Sequence, residues 1–103
     1  MRLQPWWEVF SVAARLVQNV EQEQFELYVG DDLAAFADYV DMTETRNFSH
    51  TVTYPRFQDQ GLATELIRYA LDVTRRQGLK IVPSCSFVAE FIEGHGEYRD
   101  LVA

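Results

Sequence analysis

The chain has 103 residues, 48% of them apolar, which suits one domain with a single modest core. Its formal net charge of −7 argues against nucleic acid as the main partner, because phosphate binding needs a basic footprint, and is compatible with a cationic amine substrate. No apolar run approaches bilayer length, so no membrane partner is expected, and the lone Cys85 excludes an internal disulfide or a multi-cysteine metal site, leaving the cytoplasm as the default location.

Residues 1–18 read as an N-terminal extension and 19–103 as the folded domain. A helix is expected over 5–17, with Pro5 at its first turn and Trp6, Phe10, Ala13, Ala14 and Val17 on one face. From 18 to 54 the pattern is β. Phe25, Leu27 and Val29 alternate with Glu26 and Tyr28, the period of a half-buried strand. Gly30-Asp31-Asp32 marks a turn. Leu33 to Met42 reads as a second strand, although its three alanines leave a helix open. Thr43 to Asn47 is the next expected turn. In the strand that follows, Phe48, His50, Val52 and Tyr54 are expected to share one face, and Ser49, Thr51 and Thr53 the other. Pro55 ends it. Glu21, Glu23 and Glu26 have no spacing that suggests chemistry and read as an exposed strand face.

A long helix is expected from Gln60 to Gln77, with Leu62, Leu66, Ile67, Ala70 and Val73 as its apolar stripe and Gly78 as its C-cap. Leu79 to Val82 reads as a short strand stopped by Pro83. A second helix should run from Ser86 to Glu93, broken by Gly94 and Gly96. Hairpin strands, then helix, strand and helix, make an α+β fold with helices packed on a sheet.

The segment Gln58-Asp59-Gln60-Gly61-Leu62-Ala63 lies between a strand and the long helix. The first amides of a helix lack intrahelical partners and, with the dipole, attract anions. Gly61 and Ala63 leave room for a phosphate to approach the backbone. Cys85 precedes a helix, where a thiol gains nucleophilicity; the alternative is a small buried hydrophobe. His50 reads either as a base near it or as a core histidine.

These blocks resemble the GNAT superfamily of N-acetyltransferases, and more closely its short GNAT-like, NATD-type branch. The resemblance is carried by His50-Thr51, by Gln58 to Ala63 in the place of the acyl-coenzyme A pyrophosphate signature, by Gly78 to Val88, and by His95 to Tyr98 with Asp100-Leu101. It covers roughly Val20 to Val102. It implies a mostly antiparallel sheet of four to five strands with a long central helix and a C-terminal helix. It further implies acetyl-CoA as acyl donor and transfer to an unidentified amine. Gln58, Asp59, Gln60, Gly61, Leu62, Ala63, Ser86 and Tyr98 would hold the coenzyme, and Cys85 and His50 would be catalytic. Asp59 stands where the family commonly has Gly, and Gly96 where the short branch has Pro. The other reading is a non-catalytic acyl-CoA-binding sensor or interaction module.

Overall fold

The computed structural model describes residues 14–103. Five strands form one sheet in the order β1 to β5, with β1 Ala14–Asn19, β2 Gln24–Val29, β3 Asp32–Asp41, β4 Thr45–Thr53 and β5 Lys80–Pro83. Neighbours from β1 to β4 pair antiparallel through short turns, and β5 joins β4 in parallel. Parallel pairing needs a crossover, and the helix α1, Leu62–Arg76, supplies it. A second helix α2, Ser86–Gly94, and a 3-10 turn, Gly96–Leu101, close the chain.

Most of the helix expected over 5–17 lies outside the described residues. Its last four residues are strand instead: Ala14 to Val17 pair with Val29 to Glu26 in β1, so β1 crosses the expected boundary at residue 18. The β-pattern of the hairpin partner outweighs the local helical spacing. The expected strand Leu33 to Met42 resolves as Asp32–Asp41, with its alanines packed toward α1: Ala34, Ala35 and Ala37 are all buried. The turn before β4 is shorter than expected, because Thr45 to Asn47 already pair with β5, and Arg46 and Asn47 also with β3. Glu26 does not join an exposed face: it is buried, and its carboxylate accepts hydrogen bonds from Asn19, Gln24 and the Tyr28 hydroxyl.

One continuous core lies between one sheet face and both helices. Phe25, Leu27, Tyr39 and Phe48 meet Leu66, Ile67, Ala70 and Leu71 of α1 and Val88, Phe91 and Ile92 of α2. Each large side chain buried there contributes about 1.5–3 kcal/mol. A buried Arg46 is tied in at the rim of this core. Its guanidinium donates to both Asp41 carboxylate oxygens, to Thr74 and to Gln77, and lies over the Tyr39 ring. Gln77 caps α1, with Gly78 in the left-handed conformation after it. The amides of Gly78 and Leu79 bond back to Arg75 and Thr74, closing the helix end.

β4 is irregular at one point. Asp38 pairs with His50 and Tyr39 with Phe48, so Ser49 is an extra residue. That bulge divides the face on which Phe48, His50, Val52 and Tyr54 were expected together. Phe48 points into the core, while His50 is exposed, across the sheet. The covered side beyond the bulge belongs to Thr51 and Thr53, whose strand partners are Ala37 and Ala35.

Candidate functional site

The bulge coincides with the end of the β4–β5 ladder, whose last pair is Phe48 with Pro83. The chain then turns away: the Cys85 amide donates to the Phe48 carbonyl at 2.8 Å, and α2 begins. Past that point no strand among the described residues lies beside the outer edge of β4. The Thr53 carbonyl points to this edge, where the Gln58 side-chain amide donates to it at 3.2 Å.

Tyr54 is extended before Pro55, as a residue preceding proline should be, and the turn Pro55–Phe57 drops the buried Phe57 into the core. The loop above this anchor carries two left-handed residues, Asp59 at φ +62° and Gly61 at φ +74°. Gly61 caps α1, so the helix starts at Leu62 rather than at the expected Gln60. Its carbonyl accepts the Glu65 amide at 3.2 Å. The six amides from Asp59 to Thr64 donate to no described residue. Three of them, from Leu62 to Thr64, form the first turn of α1, where the dipole adds positive potential.

Five of these six residues, all but Gln60, line a cleft of about 430 Å³. Its walls are Thr53 of β4, Phe57, Gln58 and Asp59 of the loop, Gly61 to Thr64, and Phe87 from the first turn of α2. Of the loop residues expected to contact a coenzyme, Gln58, Asp59, Gly61, Leu62 and Ala63 line it. Gln60 does not, and its side-chain amide donates to the Arg56 carbonyl at 3.4 Å. A more open hollow of about 500 Å³ lies along β1 and β2, around Arg15, Glu26 and Tyr28. The carboxylate there already has three internal donors.

Cys85 is half-buried at the N-cap of α2, two residues before the cleft-lining Phe87. Its thiol donates to the Thr51 hydroxyl at 3.4 Å. Thr51 lies two residues before Thr53 on β4, roughly 7 Å along the strand. The thiol therefore sits one short step inward from the cleft. Ser86 is exposed at the first position of α2. His50 is not brought to Cys85, because adjacent strand residues face opposite ways and Thr51 takes the side of the thiol.

Tyr98 is also placed elsewhere. It is buried against Phe91, and its hydroxyl donates to Asp72 of α1 at 2.8 Å. Burial first, and then that hydrogen bond, push its phenol above the ordinary tyrosine value, so it is held protonated. His95 stacks on Phe91 at 4.0 Å and its Nδ1 meets the Phe91 carbonyl at 2.7 Å. Both residues fasten the C-terminus. Sequence reasoning missed Thr51, Thr53, Phe57, Thr64 and Phe87 as site residues. The alternation of Ser49, Thr51 and Thr53 opposite His50 was the available signal for the two threonines.

A family model described as GCN5-related N-acetyl-transferase matches residues 24–101. The solution structure of a GCN5-like protein from Staphylococcus aureus, a proposed N-acetyltransferase, has 25% identity and a TM-score of 0.69, covering 89% of this chain and 90% of that one. The crystal structure of the ribosomal-protein-S18-alanine N-acetyltransferase from Escherichia coli shares the fold at a TM-score of 0.60 and 19% identity, covering 88% of this chain and 57% of that one. No curated protein matches the sequence significantly.

Proposed function

The chain belongs to the GCN5-related N-acetyltransferase family, and on that premise we propose that it transfers an acetyl group from acetyl-CoA to an amine. One observation carries the assignment of the donor site: Asp59 and Gly61 to Thr64, whose amides donate to no described residue, line a cleft large enough for a diphosphate and an acyl arm. The diphosphate lies on those amides at the start of α1. The acyl arm runs along the edge of β4 beyond its ladder with β5, past Thr53 and toward Cys85. Phe87 closes the opposite wall. The blocks Gly78 to Val88 and His95 to Leu101 support a place in the short NATD-type branch.

Two routes fit this arrangement. In direct transfer, a neutral amine attacks the thioester carbonyl, the carbon–sulfur bond breaks, and the coenzyme thiolate takes a proton as it leaves. In the covalent route, the Cys85 sulfur forms the new bond to the acetyl carbon and its proton ends on the coenzyme sulfur. The amine then takes the acetyl group and returns a proton to Cys85. The Thr51 hydroxyl, as the acceptor of the Cys85 proton, orients the thiol for either role. A lysine-like acceptor is mostly protonated near neutral pH, so either route needs a base or a water path.

The second reading is an acyl-CoA-binding module without turnover. The separation of His50 from Cys85 favours it, since no histidine stands beside the thiol. Calorimetric titration with acetyl-CoA and CoA, followed by intact mass and an amine panel, separates the readings. Acetyl-CoA binding with thiol release is expected. An added acetyl mass lost in Cys85→Ala selects the covalent route. Binding with no adduct and no thiol release across the panel selects the module.

A further inference from the structure

We propose that Asp59 is a specificity-determining residue of this cleft, one that penalises anionic charge at the amide cradle and so limits affinity for the diphosphate of coenzyme A. The proposal rests on the acyl-CoA reading above. Asp59 lines the cleft and is exposed. It makes no ion pair with any described residue, and its carboxylate accepts no hydrogen bond from one. Among the described residues no lysine or arginine lines the cleft, so Asp59 brings the only formal charge that they give its wall. Two arginines on the flanking elements have exposed carboxylate partners. Arg56 pairs with Asp32 at 2.8 Å, and Arg68 faces Glu97 at 3.8 Å.

A diphosphate entering the cleft is therefore met by main-chain amides and neutral polar side chains and opposed by one full negative charge. The aspartate side chain is short, so whichever rotamer it adopts, its carboxylate stays within a few ångströms of its own amide. The left-handed backbone at φ +62° does not explain the carboxylate, because Asn adopts that conformation as readily and Gly more so. Repulsion between unit charges roughly 5 Å apart is worth about fourfold in affinity in bulk water and a few hundredfold near a protein surface, so about tenfold at low salt is the expectation for an exposed carboxylate. At that separation, screening with a Debye length of about 8 Å removes roughly half of it.

Asp59→Asn keeps the shape and backbone preference and removes only the charge. Asp59→Gly removes the charge and the backbone strain together. Calorimetry compares both variants with the wild type, using CoA and phosphate-free pantetheine, at low and at physiological salt. Asp59→Asn is expected to bind CoA about tenfold more tightly at low salt. The gap should narrow as salt rises, with pantetheine affinity unchanged throughout. Equal CoA affinity in wild type and Asp59→Asn overturns the proposal, and so does tightening seen only with Gly, which would assign the effect to the backbone. If the wild type and both variants all fail to bind CoA while melting normally, the acyl-CoA reading itself fails and takes this proposal with it.

Discussion

Gly61 meets two requirements at once, a left-handed backbone and an unobstructed approach to the amides of the next turn. A β-carbon built there would meet nothing within 4 Å in the free protein, so Gly61→Ala is not blocked by packing. Its cost is the positive φ of +74°, about 1 kcal/mol. The added methyl also stands where a phosphate would seat. Gly61→Ala is therefore expected to lower Tm only slightly while weakening CoA binding about tenfold or more, as calorimetry would read. A methyl group that leaves CoA affinity unchanged would mean that the diphosphate sits elsewhere. Thr51 and Cys85 show the same dependence on single residues. The strand alternation that turns Thr51 toward the thiol also turns His50 away from it.

At the scale of elements, the junction of β4, β5 and α1 is where the site is made. The Ser49 bulge and the end of the β4–β5 ladder fall together, and the departing chain becomes the N-terminus of α2. Arg46 holds this junction at its other end, linking β4 to β3 through Asp41 and to α1 through Thr74 and Gln77. Its side chain is only 4% exposed, while that of Asp41 is 38% exposed. Truncating Arg46 leaves its partners without a donor and opens space beside Phe25 and Tyr39. Arg46→Ala should cost about 3 kcal/mol in chemical denaturation. A change below about 0.5 kcal/mol, the range of ordinary surface substitutions, would remove Arg46 from this role.

Across the whole molecule, the C-terminal turn clamps the end of the chain onto α1 and β5. Tyr98 donates to Asp72, Arg75 binds the Asp100 carboxylate, and Lys80 donates to the Asp100 carbonyl. The two titratable ends of this clamp act at opposite extremes of pH. The Tyr98 phenol is raised, so its contribution is full below the ordinary tyrosine value near 10 and is lost as pH climbs through the higher folded value. The Asp100 carboxyl is lowered, chiefly by its hydrogen bond from Arg75. Its contribution is present above the ordinary aspartate value and is lost as pH falls through the lower folded one. Denaturation measured across pH should show Tyr98→Phe less stable by about 1–2 kcal/mol at neutral pH and flatter than wild type on the alkaline side. An unchanged alkaline limb would show that the phenol does not carry it.

Much of this was legible along the chain because it is written in local signals. Period-2 alternation marks β2, the apolar stripe marks α1, and Gly61, Gly78 and Pro55 punctuate the boundaries; each depends on residues within one turn or strand of one another. The loop of unpartnered amides follows from the same local rules, since a helix start always leaves them. The residues that face the cleft were decided by contacts far apart in sequence. The bulge at Ser49 arises from pairing with β3, 11 residues earlier at Asp38, and it moves Phe48 and His50 to opposite sides. Tyr98 was drawn to Asp72, 26 residues back, and Cys85 to Thr51, 34 residues back. Periodicity tells which residues alternate, but only the neighbouring strands and helices decide which side becomes the interior.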